Sequence, residues 1–261
     1  MDFSVAWTPA DCHHASVTND PLLERAQQVW ADLAGTPVTF TESAIEVVAS
    51  PQSLLCPPGW IGIVALGRAV IATAPDNGTA EIVKHALKDL PATAMIDPAA
   101  LRDRLPVKET LGPATLAYCD SAGFHPAESS AVETISADHA DMAALLARVS
   151  VEDTDESGLA DITSPAFVVR TGTDIIAAAG YRCWPRRTAH VSVLTAPAAR
   201  GRGLGRVVAT AAVLDALNAS LLPQWRARPE ASRRVARALG FRELGSQLSV
   251  NLMPADRAQR F

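Results

Sequence analysis

Six residues, Arg200-Gly201-Arg202-Gly203-Leu204-Gly205, stand between an alternating run, Ala189 to Thr195, and a segment of small and apolar residues with helical spacing. Glycines there permit backbone angles that other residues resist, so a strand can turn sharply into a helix. Such a turn aims several backbone N–H groups one way, and the helix dipole adds positive potential at the same place. It suits a pyrophosphate, and spacing narrows the kind. A dinucleotide fold needs glycine or alanine three residues after the second glycine, and an acidic residue about 20 positions on. Here Gly201 and Gly203 are followed by Arg206, and Gly203 and Gly205 by Val208. The next strand-like run, Leu221 to Ala227, ends in no carboxylate, and the Gly-Lys-Ser/Thr of nucleotide hydrolases is absent. What remains is Arg-x-x-Gly-x-Gly at Arg200, Gly203 and Gly205.

Charge supports an anionic ligand for that half. The net charge is −5, yet from Arg170 onward there are 15 Arg, no Lys and 5 acidic residues. No basic run interleaved with aromatics offers stacking platforms, so nucleic acid is not expected as a partner. No run reaches the roughly 18 apolar residues of a membrane span. The start, Met1-Asp2-Phe3-Ser4, lacks a basic region followed by an apolar stretch. The expectation is a cytoplasmic protein without membrane contact, monomeric or homodimeric. Cys12, Cys56, Cys119 and Cys183 are scattered without a Cys-x-x-Cys pair, which reads as free thiols. Cys12-His13-His14 has no second cluster to complete a metal site, so no metal is expected.

Length allows two domains, and periodicity gives α/β alternation in both halves. Pro21 to Leu33 has helical spacing, Ala44 to Ala49 is strand-like, and Trp60 to Pro75 reads as a hairpin turning near Leu66-Gly67-Arg68. Thr79 to Leu90 is a helix stopped by Pro91, and Ala114 to Cys119 is a strand. Asp120 to Ser130 is the linker candidate, dividing the chain into 1–125 and 126–261. Beyond it come a strand at Ala131 to Ile135, a helix capped by Ser136 and running to about Val149, and an acidic segment, Val151 to Asp161. A hairpin follows from Ala166 to Gly180. After the glycine turn, Leu204, Val207, Ala211, Leu214 and Leu217 form one helix face. Leu221 to Ala227 is a strand, Glu230 to Leu239 a helix ended by Gly240, and Phe241 to Leu252 closes with strands.

Arg200-x-x-Gly203-x-Gly205, with Pro197 three residues before it and Pro229-Glu230-Ala231-Ser232 through Leu239-Gly240-Phe241 after it, resembles the coenzyme A loop and last helix of the GCN5-related N-acetyltransferase (GNAT) superfamily. The resemblance covers Ala131 to Leu252. It implies a mixed α/β sheet with two parallel central strands splayed apart, preceded by a smaller α/β domain. Pro223 suits such an opening, or a plain edge strand. The hairpins Ile61–Pro75 and Phe167–Gly180 share a loose pattern that fits a degenerate second copy of the fold, or two generic hairpins.

The resemblance also implies acetyl-CoA as cofactor and an amine, small molecule or protein, as acceptor. Backbone groups of Val193, Leu194 and Thr195 would run beside pantetheine. Amides from Gly201 through Arg202, Gly203, Leu204 and Gly205 to Arg206 would hold the pyrophosphate, with the side chains of Arg200, Arg202 and Arg206 adding charge. His190 shares a strand face with Ser192 and is the leading base, titrating near neutral pH, or else a hydrogen-bonded structural histidine. Glu156 and Asp161 are further candidates, as is a chain of waters. Relatives often carry Asn where Pro229 stands and Tyr where Ala236 stands. The phenol acid is thus missing, and Ser232 is read either as its substitute or as a first-turn residue bonding the backbone. Tyr181 and Cys183 are remoter candidates. A coenzyme A-binding module without turnover is the alternative function.

Overall fold

A single hydrogen-bonded sheet of ten strands organises the computed structural model, which describes residues 20–42, 44–128 and 132–254. The first half contributes α1 (Pro21–Leu33), β1 (Glu46–Ala49), β2 (Ile61–Leu66), β3 (Ala69–Ala74), α2 (Asn77–Leu87), the short α3 (Ala92–Met95) and α4 (Pro98–Arg102), and β4 (Val107–Tyr118). The second contributes β5 (Glu133–Ile135), α5 (Ala140–Leu146), α6 (Val151–Ser157), β6 (Ala166–Thr171), β7 (Asp174–Trp184), β8 (Thr188–Thr195), α7 (Leu204–Asn218), β9 (Leu222–Ala227), α8 (Glu230–Ala238) and β10 (Arg242–Leu252). The strand order is β1-β3-β2-β10-β4-β9-β8-β7-β6-β5. Cys12-His13-His14 and the start of the strand expected at Ala131 lie outside the described residues.

The halves interleave. β10, last in sequence, lies antiparallel between β2 and β4, and β4 pairs on its other edge with β9. Segment 120–128 is tied down too: His125 N–H donates to Leu239 O at 2.9 Å, and Ala127 N–H to Thr210 Oγ1 at 3.0 Å.

α1 forms because Asp20 accepts the Leu22 and Leu23 amides, Pro21 presets the first turn, and Leu22, Ala26, Val29, Trp30 and Leu33 recur on one buried stripe. Each buried Leu or Val of that stripe stabilises by about 1.5–3 kcal/mol. Trp30 Nε1 donates to the buried Tyr118 hydroxyl at 2.6 Å, joining α1 to β4.

Several elements depart from the sequence reading. β4 begins at Val107, not Ala114, because it continues through Gly112-Pro113, where β10 shifts register between Gln247 and Ser249 and the alternation is interrupted. Ser136 bonds Asp138 instead of capping a helix. His139 caps α5, whose chain breaks after Leu146, and Ser150 caps a separate helix, α6, through the Asp153 amide at 3.1 Å. The buried stripe of α7 is Val208, Ala209, Ala212, Val213 and Ala216, leaving Leu214 48% exposed. Small side chains on this stripe let α7 lie close on Ala177 and Ala179 of β7.

The expected splay is present. β8 and β9 run parallel and pair through Thr188–Leu222, Ala189–Pro223 and His190–Gln224, where the ladder stops, although β8 continues to Thr195 and β9 to Ala227. Pro223 sits at the closed end, and its carbonyl accepts the Cys119 N–H at 3.2 Å. The opening starts beyond Gln224.

Candidate functional site

Two cavities flank the divergent ends of β8 and β9. The first, about 560 Å³, is bounded by Val193, Leu194 and Thr195 of β8, the glycine turn with the start of α7, Trp225 of β9, and Ser232, Arg234 and Val235 of α8. The second, also about 560 Å³, is bounded by His190, Arg226, Gln247 and Ser249 on the sheet, by Glu152 and Asp155 of α6, and by Leu54 to Pro57. Glu156 and Ser157 of α6 border both. The strands provide the partition: alternate residues face opposite sides, so Trp225 turns to the first cavity and Arg226 to the second.

The turn into α7 is built by glycine. Gly201 and Gly203 both have φ +75°, a region costly for residues with a Cβ, while a Cβ at either would meet nothing within 4 Å. Their requirement is conformational. Gly205 differs, since its Cβ would press on Thr195 Oγ1 at 3.3 Å and Val193 Cγ1 at 3.7 Å. The Leu204 and Gly205 amides belong to the first turn, where no helical acceptor exists, and α7 is fifteen residues long.

The arginines divide their work. Arg200 is tethered, donating through Nε to Thr195 O at 3.2 Å and through Nη2 to Asp153 at 2.7 Å, so it ties the turn to α6. Arg206 borders the first cavity with its Nε buried and without a hydrogen-bond partner among the described residues. Arg202 is exposed and lies outside the cavity lining. Arg234, which carries no motif and was not singled out by sequence, does line it. An unpartnered buried guanidinium nitrogen, open first-turn amides and a Cβ-free turn fit a pyrophosphate.

Ser232 lies in the first turn of α8, and its hydroxyl accepts Trp225 Nε1 at 3.0 Å. Glu156 is gripped by Arg228, whose backbone N–H donates to Oε1 at 3.2 Å and whose Nε donates to Oε2 at 2.6 Å.

His190 is half-buried. Its ring stacks on Trp184, with centroids 4.2 Å apart, and Trp184 meets Trp30 of α1 edge-on. The His190 Nδ1–H donates to Gln224 Oε1, which leaves Nε2 as an acceptor. Burial, with Arg226 and Arg182 nearby, pushes the imidazole down to about 4 against a weaker opposing pull from Gln224. Titration near neutral pH, the sequence expectation, is therefore not what this environment gives, because desolvation outweighs the hydrogen bond.

Asp161, Tyr181 and Cys183 line neither cavity. The Tyr181 hydroxyl donates to Asp215 at 2.7 Å, and burial raises its pKa. Cys56 borders the second cavity, where burial pushes its thiol up to about 11, the wrong direction for a nucleophile. Among the described residues no group of three or more His, Cys, Asp or Glu side chains could hold a metal, and no helix is long and apolar enough to cross a membrane.

Residues 164–246 match the family model described as GNAT acetyltransferase. No curated protein matches the chain. Among solved structures, a GNAT-family acetyltransferase from Novosphingobium aromaticivorans DSM 12444 is 21% identical, with a TM-score of 0.46, over 55% of this chain and 65% of that one. The match thus spans less than two thirds of that chain's length. An acetyltransferase of the GNAT family from Colwellia psychrerythraea is 11% identical, TM-score 0.47, over 89% of this chain and 96% of its own. An acetyltransferase from Salmonella typhimurium, solved with its cofactor acetyl-CoA, is 19% identical, TM-score 0.35, over 48% and 96%.

Proposed function

We propose, from the match of residues 164–246 to the GNAT acetyltransferase family, that this chain is an acyl-CoA-dependent N-acyltransferase, using acetyl-CoA and a primary amine. The observation that carries this reading is the end of the β8–β9 ladder at His190–Gln224, beside the glycine turn into α7. It opens a cleft from a pyrophosphate cradle to Ser232 and Glu156.

Acetyl-CoA supplies an acyl thioester. Amides at Leu204 and Gly205, with Arg206 and Arg234, would hold the pyrophosphate, while Val193 to Thr195 present their unladdered edge to pantetheine. Transfer joins the amine nitrogen to the acyl carbon and breaks the carbon–sulfur bond. The Ser232 hydroxyl, whose lone pair is occupied by Trp225, donates its proton toward the departing thiolate. The amine proton leaves through the second cavity, where His190 Nε2 or Glu156 is the acceptor, or solvent is.

The second cavity is read as the acceptor site, with a wall from the first half at Leu54 to Pro57. The division at residue 125 enters the proposal in that sense: the second half carries the cofactor and the first completes the acceptor pocket. Ala236, buried where the resemblance expects a phenol, favours a second reading, coenzyme A binding without turnover. Calorimetric titration with coenzyme A, followed by thiol release from acetyl-CoA across an amine panel, separates the two. Failure of the intact protein to bind coenzyme A would remove both.

A further inference from the structure

Resting on the reading of the second cavity as the acceptor site, we infer that the acceptor is an amine that also carries a carboxylate, and that Arg226 is the residue that binds it.

Five charged side chains border that cavity: Glu152, Asp155, Glu156, Arg226 and Arg228. Two of them neutralise each other, since Glu156 takes both the backbone N–H and the guanidinium of Arg228. The Arg226 guanidinium is left over, with no side-chain hydrogen bond or ion pair among the described residues. Its side chain is exposed and borders the second cavity. The surrounding protein pushes its pKa down through desolvation, and the charges acting on it are the occupied Glu156 and the opposing Arg228. A guanidinium that borders a cavity and has no protein partner keeps its donor fork for an anion bound there.

The register of β9 fixes where that anion would sit. Arg226 pairs with Leu116 and is two residues past Gln224, the partner of His190. Arg226, Gln224 and His190 therefore share one sheet face. The bound anion would lie beside His190, in the cavity whose wall at Glu156 and Ser157 also borders the first cavity. A planar fork facing a carboxylate makes two parallel bonds, so it fixes orientation as well as position. An amine on the same small molecule would thereby be oriented relative to Glu156 and Ser157.

The remaining lining completes the description. Glu152 and Asp155, one turn apart on α6, give a negative rim that attracts an ammonium group. Leu54 and Leu111, 73% and 38% exposed, offer apolar surface at the same cavity. Ammonium, carboxylate and an apolar body together describe an amphiphilic amino acid.

The test compares matched acceptors on the intact protein: L-leucine, L-leucinamide and isopentylamine, followed by thiol release from acetyl-CoA. KM for the acid should be lower than for the amide by about 10-fold or more, as expected for a charge-assisted pair. Arg226→Gln should collapse that ratio through KM, Arg226→Lys should restore part of it, and Arg226→Glu should invert it. Thermal melts check that each variant is folded. Calorimetry of N-acetyl-L-leucine against N-acetyl-L-leucinamide, with coenzyme A present, reads the same preference without turnover. Transfer to all three amines with equal KM, or an Arg226→Gln variant with the wild-type ratio, overturns the inference and leaves the acyltransferase reading standing. Absence of transfer to any amine counts against that reading, and the binding comparison still decides whether Arg226 holds a carboxylate.

Discussion

Trp225 Nε1 and Ser232 Oγ lie 3.0 Å apart, with the indole donating, so the serine hydroxyl accepts from one side and keeps its own proton for another partner. Both residues border the first cavity. A first-turn serine normally spends its hydroxyl on the backbone, and here the indole holds it oriented.

Ser232→Ala is accordingly expected to lower kcat by about 10- to 100-fold, the value of one hydrogen bond to a charged group, with coenzyme A affinity unchanged. It also strands the indole N–H, at a cost of about 1–3 kcal/mol in stability. Adding Trp225→Phe should recover stability but not kcat. Denaturant melts and single-turnover rates on the three variants read these separately, and full turnover in Ser232→Ala would dismiss the hydroxyl.

Gly203→Val tests the cradle. Space is open around the missing Cβ, so only the backbone angle, φ +75°, resists the change. The variant should remain folded, lose about 1–3 kcal/mol to local strain, and bind coenzyme A much more weakly as the first amides of α7 turn away. Gly205→Val should instead push α7 from β8 through the Thr195 contact. Wild-type affinity in a folded Gly203→Val protein would take away the basis of the cofactor assignment.

The sequence showed what is local. The glycine turn, the bounds of α1 and the β2–β3 hairpin depend on neighbours within a few residues, and all are legible. α6 was not, because Val151 to Ser157 buries no residue and so has no apolar period to read. That helix nonetheless places Glu156 between the cavities. Arg226 and Gln247 were equally silent: they meet in one cavity through pairing between strands distant in sequence. The α7 stripe is hidden in the sequence because leucine outweighs alanine in a hydrophobicity pattern, whereas close approach to a sheet favours alanine.

His190 gives a pH prediction with a definite sign. Its folded value, about 4, lies below the ordinary 6.5, so the unfolded chain binds the proton more readily. Stability should therefore be intact above pH 6.5 and decline as pH falls toward 4. His190→Gln should flatten that decline in melts recorded from pH 4 to 7. If Nε2 also accepts the amine proton, the acid limb of kcat lies near pH 4 and vanishes in the variant, with a loss of about 100-fold or more. A wild-type limb near pH 6.5 would refute the neutral histidine.

The interleaving of β10 makes the two halves interdependent in folding. A Cβ on Gly245 would stand 1.8 Å from the carbonyl oxygen of Ala65 in β2, and a backbone atom cannot swing aside as a side chain can. Gly245→Ala must therefore pry β10 from β2, at a cost of about 3 kcal/mol or more. A fragment spanning 126–261 suffers the larger injury: β10 loses both its partners, β2 and β4, and β9 loses β4. Open apolar edges of that kind invite association. The fragment should aggregate or bind coenzyme A poorly, and co-expression with 1–125 should restore binding. A soluble, monomeric fragment with full affinity would show that the cofactor site does not need the strands of the first half, and the role given to them here would have to be withdrawn.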